Sequence, residues 1–310
     1  GRVVCWHDPA MIDVPAYLQF LPAPLLARLD ADAEPVPEIP GLRVQAGLRA
    51  AFPTVETVEA LQIVVAVHRA VRSELAAVLA QRIVDRAFLD AVVAGCAAEG
   101  AAAGIPWHAA NYPSAFGRKD AVGRVVLGPL DAEVDVPAVQ IPEFLRGEQV
   151  TLFGPPDTPK MAINAMNALH RRRADEPAMV AELVTASGQV PRWGADDEDS
   201  KTPLMRSFLL ACENLIGCFD GTLRFEDVER GRTYALADHD LSRPIKRIPG
   251  LAMPDGAHLL DGSPLPLHLF DLVQHVWHNR DRAEALAFYV PKLENEEEAR
   301  YLRRLIEATE

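Results

Sequence analysis

Q-V-T-L-F-G-P-P-D-T-P-K-M-A-I-N-A-M-N, residues 149–167, passes from a short β-type run through a Gly/Pro turn into a helical run. The same β-turn-α step recurs further on. Val190–Asp199 reads as a strand before a helix over Pro203–Ile216, and Ile245–Leu251 and Ala287–Leu293 read as strands bracketing the helix that carries Leu269–Trp277. Strands alternating with helices predict an α/β fold with a parallel sheet. Between the steps, Gly221–Leu236 reads as a hairpin with Gly231 at its turn and Tyr234 and Leu236 alternating after it. The turn at 154–160 superficially resembles a phosphate loop, but it lacks the second glycine and the Lys-Ser/Thr pair, so nucleotide binding is not supported.

Upstream the pattern is different. Residues 1–53 are proline-rich, and E-P-V-P-E-I-P-G at 34–41 acts as a breaker, which predicts short helices and irregular connections. From Thr54, a plausible N-cap with Glu56 near the positive helix end, the residues Leu61, Val64, Val65, Val71, Leu75, Val78 and Leu79 form one apolar stripe of a long helix. A second helix is expected over Asp85–Ala103, interrupted by Gly95 and Gly100. Residues 104–147 hold no long periodic run, although Val134–Ile141 alternates like an extended segment. At the far end Asn295 can cap a helix with Glu298 as capping-box partner, a Glu296–Arg300 pair, and Leu302, Leu305 and Ile306 on its buried face.

Composition limits the partners. The chain has 310 residues, 49% of them hydrophobic, enough for a sizeable core, and its net charge of −13 repels nucleic acid and anionic membranes. The basic run His170–Arg173 is too short to reverse that. The longest apolar stretches, Leu61–Val67 and Ala91–Ala98, are shorter than the roughly 18 to 20 residues that span a bilayer, so no membrane segment is expected. The four cysteines at 5, 96, 212 and 218 have neither C-x-x-C spacing nor disulfide-scaffold density; they read as free thiols in a reducing cytoplasm. A first residue that is Gly, and a last one inside a helical pattern, suggest a piece of a longer chain.

The residues with chemical potential lie late in the chain. A-D-D-E-D-S at 195–200 would in most settings be a solvated acidic loop, but it follows a strand, where carboxylates can orient a ligand. Arg247, in R-I-P-G at 247–250, sits near another strand end, where a fixed cation can serve a developing oxyanion. His268, His275 and His278 lack an H-E-x-x-H pattern or a convincing third ligand and read as structural. There is no G-x-S-x-G elbow and no Cys–His arrangement.

Taken in order, G-P-P-D-T-P-K-M-A-I-N-A-M-N at 154–167, A-D-D-E-D-S, R-I-P-G, L-D-G-S-P-L-P at 260–266, L-F-D at 269–271, H-N at 278–279 and F-Y-V-P-K-L-E at 288–294 resemble malate synthase. The resemblance covers about residues 148–310. It implies a mainly helical region over 1–147, then the first half of a TIM-type (β/α)8 barrel over 148–310, with insertions near 168–189 and 216–242. It implies a Claisen condensation of acetyl-CoA with glyoxylate, giving malate and CoA in the glyoxylate cycle. Arg247 would be the catalytic residue that polarises glyoxylate and stabilises the enolate, with Glu198, Asp199 and Lys292 around the substrate or the metal. The implied cofactor is Mg2+, whose ligands, with the aspartate base, are expected after residue 310. The 310 residues alone are therefore expected to be inactive. This chain departs from the family words at Asp197, where the family has an aromatic residue, and at Pro249, Leu251 and Ala252 in place of Arg, Trp and His. Those changes leave room for a related CoA-dependent lyase or synthase using another oxoacid, or for a non-catalytic binding or scaffold subunit.

Overall fold

The computed structural model describes residues 23–103, 118–119, 123, 125–127, 138, 140–141, 151–170, 175–187, 191–198 and 204–310. Most of the expected extended run at 134–141 falls outside them, and so does Asp199. The chain divides into two compact units, Gly1–Ser73 with Ile141–Glu310, and Glu74–Gln140. Mixed α/β architecture is present, with one parallel and several antiparallel sheets.

In the first unit, α1 (Ala23–Ala31) precedes β1 (Ala33–Pro35) and β2 (Leu42–Gln45), and α2 (Leu48–Ala51) follows. The proline-rich segment is thus not merely irregular. Pro35 closes the edge strand β1, where a missing N–H does no harm, and the turn at 36–41 returns the chain to pair with β1. Helix α3 (Val58–Ala103) begins in this unit. Its cap is Thr57, whose Oγ1 accepts from Ala60 N at 3.2 Å, while Thr54 instead donates to Glu213 at 2.7 Å. The expected break does not occur: α3 runs on through Gly95 and Gly100 into the second unit, because a glycine costs only about 1 kcal/mol inside a helix and alanines surround both. All seven stripe residues are buried. In the second unit β3 (Arg118–Lys119) pairs antiparallel with β4 (Val125–Leu127).

The remaining elements of the first unit are β5 (Thr151–Gly154), α4 (Pro159–Met166), α5 (Ala178–Ser187), β6 (Arg192–Asp196), α6 (Met205–Asp220), β7 (Arg224–Asp227), β8 (Arg232–Ala235), β9 (Arg243–Arg247), β10 (Pro254–Leu260), β11 (Ser263–Pro266), α7 (Leu267–Asn279), β12 (Phe288–Tyr289) and α8 (Glu296–Thr309). Strands β5, β6, β9 and β12 lie side by side in chain order, all parallel. Side chains alternate across this sheet. Trp193 and Ala195 of β6 join Ala162 and Met166 of α4 and Leu215 and Cys218 of α6 in one buried cluster, each large side chain stabilising by about 1.5–3 kcal/mol. On the other face Gly194 is bare, and a Cβ there would collide with the Phe153 ring. The hairpin at 221–236 forms as β7 and β8 with Gly231 at φ 57°.

A second sheet, antiparallel in the order β1-β2-β10-β11, was not expected. The hairpin of β10 and β11 turns at Asp261-Gly262, with φ 51° and 79°, the pairing that a two-residue type I′ turn requires. At the far end α8 starts where expected, but Arg300 pairs with Glu297 rather than Glu296, and Ile306 is 44% exposed. No described helix is long and apolar enough to cross a membrane.

Candidate functional site

The C-terminal ends of β6, β9 and β12 converge, and the backbone register explains which side chains meet. Asp196 lies opposite Arg247, and Arg247 opposite Tyr289, so all three stand on the face away from Trp193. Arg247 Nη1 donates to Asp196 Oδ2 at 2.9 Å, its Nη2 donates to Glu198 Oε2, and its guanidinium lies 5.7 Å from the Tyr289 ring centre. Glu198 Oε1 accepts from Gly250 N at 3.1 Å and meets Lys292 Nζ at 3.0 Å. Asp196 Oδ1 accepts from Glu198 N at 2.9 Å, which bends the chain just past the strand. Three segments about fifty residues apart thereby close on one carboxylate.

The structure brings Arg247, Glu198 and Lys292 together, while Asp199 lies outside the described residues. Arg247 and Glu198 are largely enclosed; the Lys292 side chain is 60% exposed and sits on a residue with φ 59°. Leu251, in the loop after Gly250, is buried, and Ala252 is exposed.

Behind this surface lies a cluster that the sequence reading missed. Lys246 points into the core, where it pairs with Asp197 and, at 2.8 Å, with Asp271 of α7; all three are buried. Cys212 of α6 reaches Asp271 at 3.9 Å. Burial pushes both carboxyls above the ordinary aspartate range, helped at Asp197 by the negative charge of Asp271 and opposed at both by the pull of Lys246. Burial alone would lower the Lys246 ammonium, yet the two carboxylates hold it well above its usual value. The alternation of Asp196, Asp197 and Glu198 across the sheet was the available signal, and Asp271 was visible only as part of L-F-D.

Asp197, Cys212 and Asp271 place ligand atoms within 4.8 Å of one another, close enough for an ion. Magnesium is a poor match to that set. It favours oxygen ligands and retained water, whereas this group includes a thiol and already encloses an ammonium. Asp196 and Glu198 fit no better, because each of their four oxygens already accepts from an N–H donor.

No protein-family model matches the chain. Curated relatives do. The chain is 27% identical to a malate synthase of Oryza sativa subsp. japonica over 177 residues, 55% of this chain and 28% of that one. It is 28% identical to a glyoxysomal malate synthase of Zea mays over 175 residues, 54% and 28% of the two chains. It is 30% identical to a malate synthase of Streptomyces clavuligerus over 166 residues, 51% and 27%. The matches thus span little more than a quarter of those relatives. Within these 310 residues lies a malate synthase-like region.

Proposed function

We propose that this chain carries the opening strands of a malate synthase-type acyltransferase barrel, with Arg247 as the fixed cation of its reacting centre. Successive parallel strands lying in chain order support the barrel reading, as does the placing of the charged cluster at their C-terminal ends. The barrel would begin near residue 148, after a region over 1–147 that is mainly helical, and 168–189 and 216–242 would be insertions into it.

In the reaction, a base takes a methyl proton from acetyl-CoA, the enolate carbon bonds to the aldehyde carbon of glyoxylate, and the aldehyde oxygen takes up the charge and then a proton. Hydrolysis of the thioester then gives malate and CoA. The guanidinium of Arg247, held in place by Asp196 and Glu198, is suited to stabilise charge on the glyoxylate and enolate oxygens. Lys292 supplies an accessible second cation for the substrate carboxylate. The observation that carries the reading is this convergence of Glu198, Arg247 and Lys292, the residues marked out by three separate sequence words, on adjacent strand ends.

The first test is glyoxylate contact, read by saturation-transfer NMR on the purified chain. Contact that Arg247→Met abolishes is expected; equal contact in both proteins overturns the assignment. A second expectation is that the chain alone releases no CoA from acetyl-CoA and glyoxylate, because Asp196, Asp197 and Glu198 are each already paired with a cation and none is placed as a base. Thiol release that depends on both substrates would refute it.

A further inference from the structure

Asp197 and Lys246 are each the sequence neighbour of a residue in the Arg247 site, and each points the opposite way. Along 196–198 the side chains alternate: Asp196 and Glu198 reach Arg247 on the open side, and Asp197 reaches Lys246 on the core side. Along β9 the same alternation puts Arg247 outward and Lys246 inward. The two segments are also joined through the backbone, Asp197 N donating to Arg247 O at 3.2 Å. Asp271 fixes the inner side to α7.

Stability does not account for this arrangement. Two carboxyl groups and one ammonium are removed from water, one acid more than the ammonium can pair with its charge, and well-packed apolar residues of similar size are commonly as stabilising or more so. Asp197 Oδ1 and Asp271 Oδ2 find no hydrogen-bond partner among the described residues, which adds to the cost. The surroundings offer little else: Phe208 presents its ring 5.7 Å from Lys246 Nζ, and Cys212 touches Asp271. What the ion cluster does supply is geometric definition, since a directional contact at each side chain permits only one register of 196–198 against β9.

We propose that Asp197, Lys246 and Asp271 are positioning residues, a buried ionic clamp that sets the guanidinium of Arg247 between Asp196 and Glu198. The purpose of that placement rests on the reading of Arg247 given above; the clamp itself rests on the geometry alone.

The test measures the reactivity of Arg247 toward phenylglyoxal by peptide mass mapping, with Arg303, which is 82% exposed, as internal reference. Asp197→Asn leaves a charge-matched Lys246–Asp271 pair, and in the folded variant losing the clamp is expected to accelerate modification of Arg247 about tenfold, the equivalent of one charge-assisted hydrogen bond. An unchanged Arg247:Arg303 ratio in a folded variant overturns the proposal. Should Asp197→Asn fail to fold, Asp271→Asn, which keeps the Lys246–Asp197 pair, is measured in its place; loss of the fold in both shows the cluster to be a core support and equally overturns positioning. Glyoxylate added to the unmodified protein separates the two readings. If it fails to slow Arg247 modification, the functional assignment falls, while an altered ratio in the variant still sustains the clamp.

Discussion

Glu198 gathers three partners with two oxygens: the guanidinium of Arg247, the ammonium of Lys292 and the backbone N–H of Gly250. Gly250 is needed for that approach, because a Cβ there would stand 2.9 Å from Glu198 Oε1. Gly250→Ala is therefore expected to displace the carboxylate and lose a hydrogen bond to a charged acceptor, about 1.5–3 kcal/mol in urea unfolding; a change under about 0.5 kcal/mol would mean the carboxylate shifts freely. At this scale the sequence points to part of this charged cluster. Arg247, Glu198 and Lys292 were legible because each lies at a strand end within a recognisable word. Lys246 was not, since a lysine in a short strand reads as a surface residue until its partner, twenty-five positions on in α7, is brought beneath it.

Among the elements, α8 is the one whose start the sequence specifies most fully. Asn295 Oδ1 accepts from Glu298 N at 3.1 Å, and the buried Glu298 carboxylate accepts from Glu294 N at 2.8 Å, a capping box displaced by one residue. Asn295→Ala is expected to cost about 1 kcal/mol. The start of α3 gives a sharper comparison: Thr57→Ala should cost about as much, whereas Thr54→Ala, which loses only an exposed contact with Glu213, should stay within about 0.5 kcal/mol. Thermal melts of the three variants decide it, and a larger loss for Thr54→Ala would place the cap where the sequence had put it. Helices carried legible periodicity because each repeats its pattern over several turns. Strands β1 and β2 did not, being three and four residues long and separated by prolines; they are strands because β10, more than two hundred residues later, pairs with β2. The hairpin of β10 and β11 carries a local signal in Asp261-Gly262, two residues that favour positive φ.

On the scale of the whole molecule, one buried histidine ties distant parts of the chain together and sets how stability follows pH. His258 on β10 bonds Asp255 Oδ2 at 2.7 Å and Glu56 Oε2, from the segment before α3, at 2.9 Å, and it stacks on Phe270 of α7. Burial would lower its pKa, but the two carboxylates outweigh burial and raise it to about 10. A histidine that keeps its proton in the folded chain and loses it near 6.5 when unfolded stabilises fully below 6.5, and the contribution is lost as pH rises toward 10. On the acid side the contributions oppose one another. His275 and His68, lowered to about 3 and 4 chiefly by burial, cost stability as pH falls below 6.5, while the raised carboxyls of Asp197 and Asp271 favour the fold over the same range. On the alkaline side they agree, because burial raises the thiols of Cys212 and Cys218 and so adds to the loss only above their ordinary value near 9. From pH 7 to 9 the unfolding free energy is therefore expected to fall by about 3 kcal/mol, the slope of one proton per molecule. Glu56→Gln, which removes one of the two charges that hold the proton, should flatten that slope. Urea titrations at intervals across this range give the answer directly: a wild-type stability that does not change between pH 7 and 9 would mean that His258 is neutral in the fold.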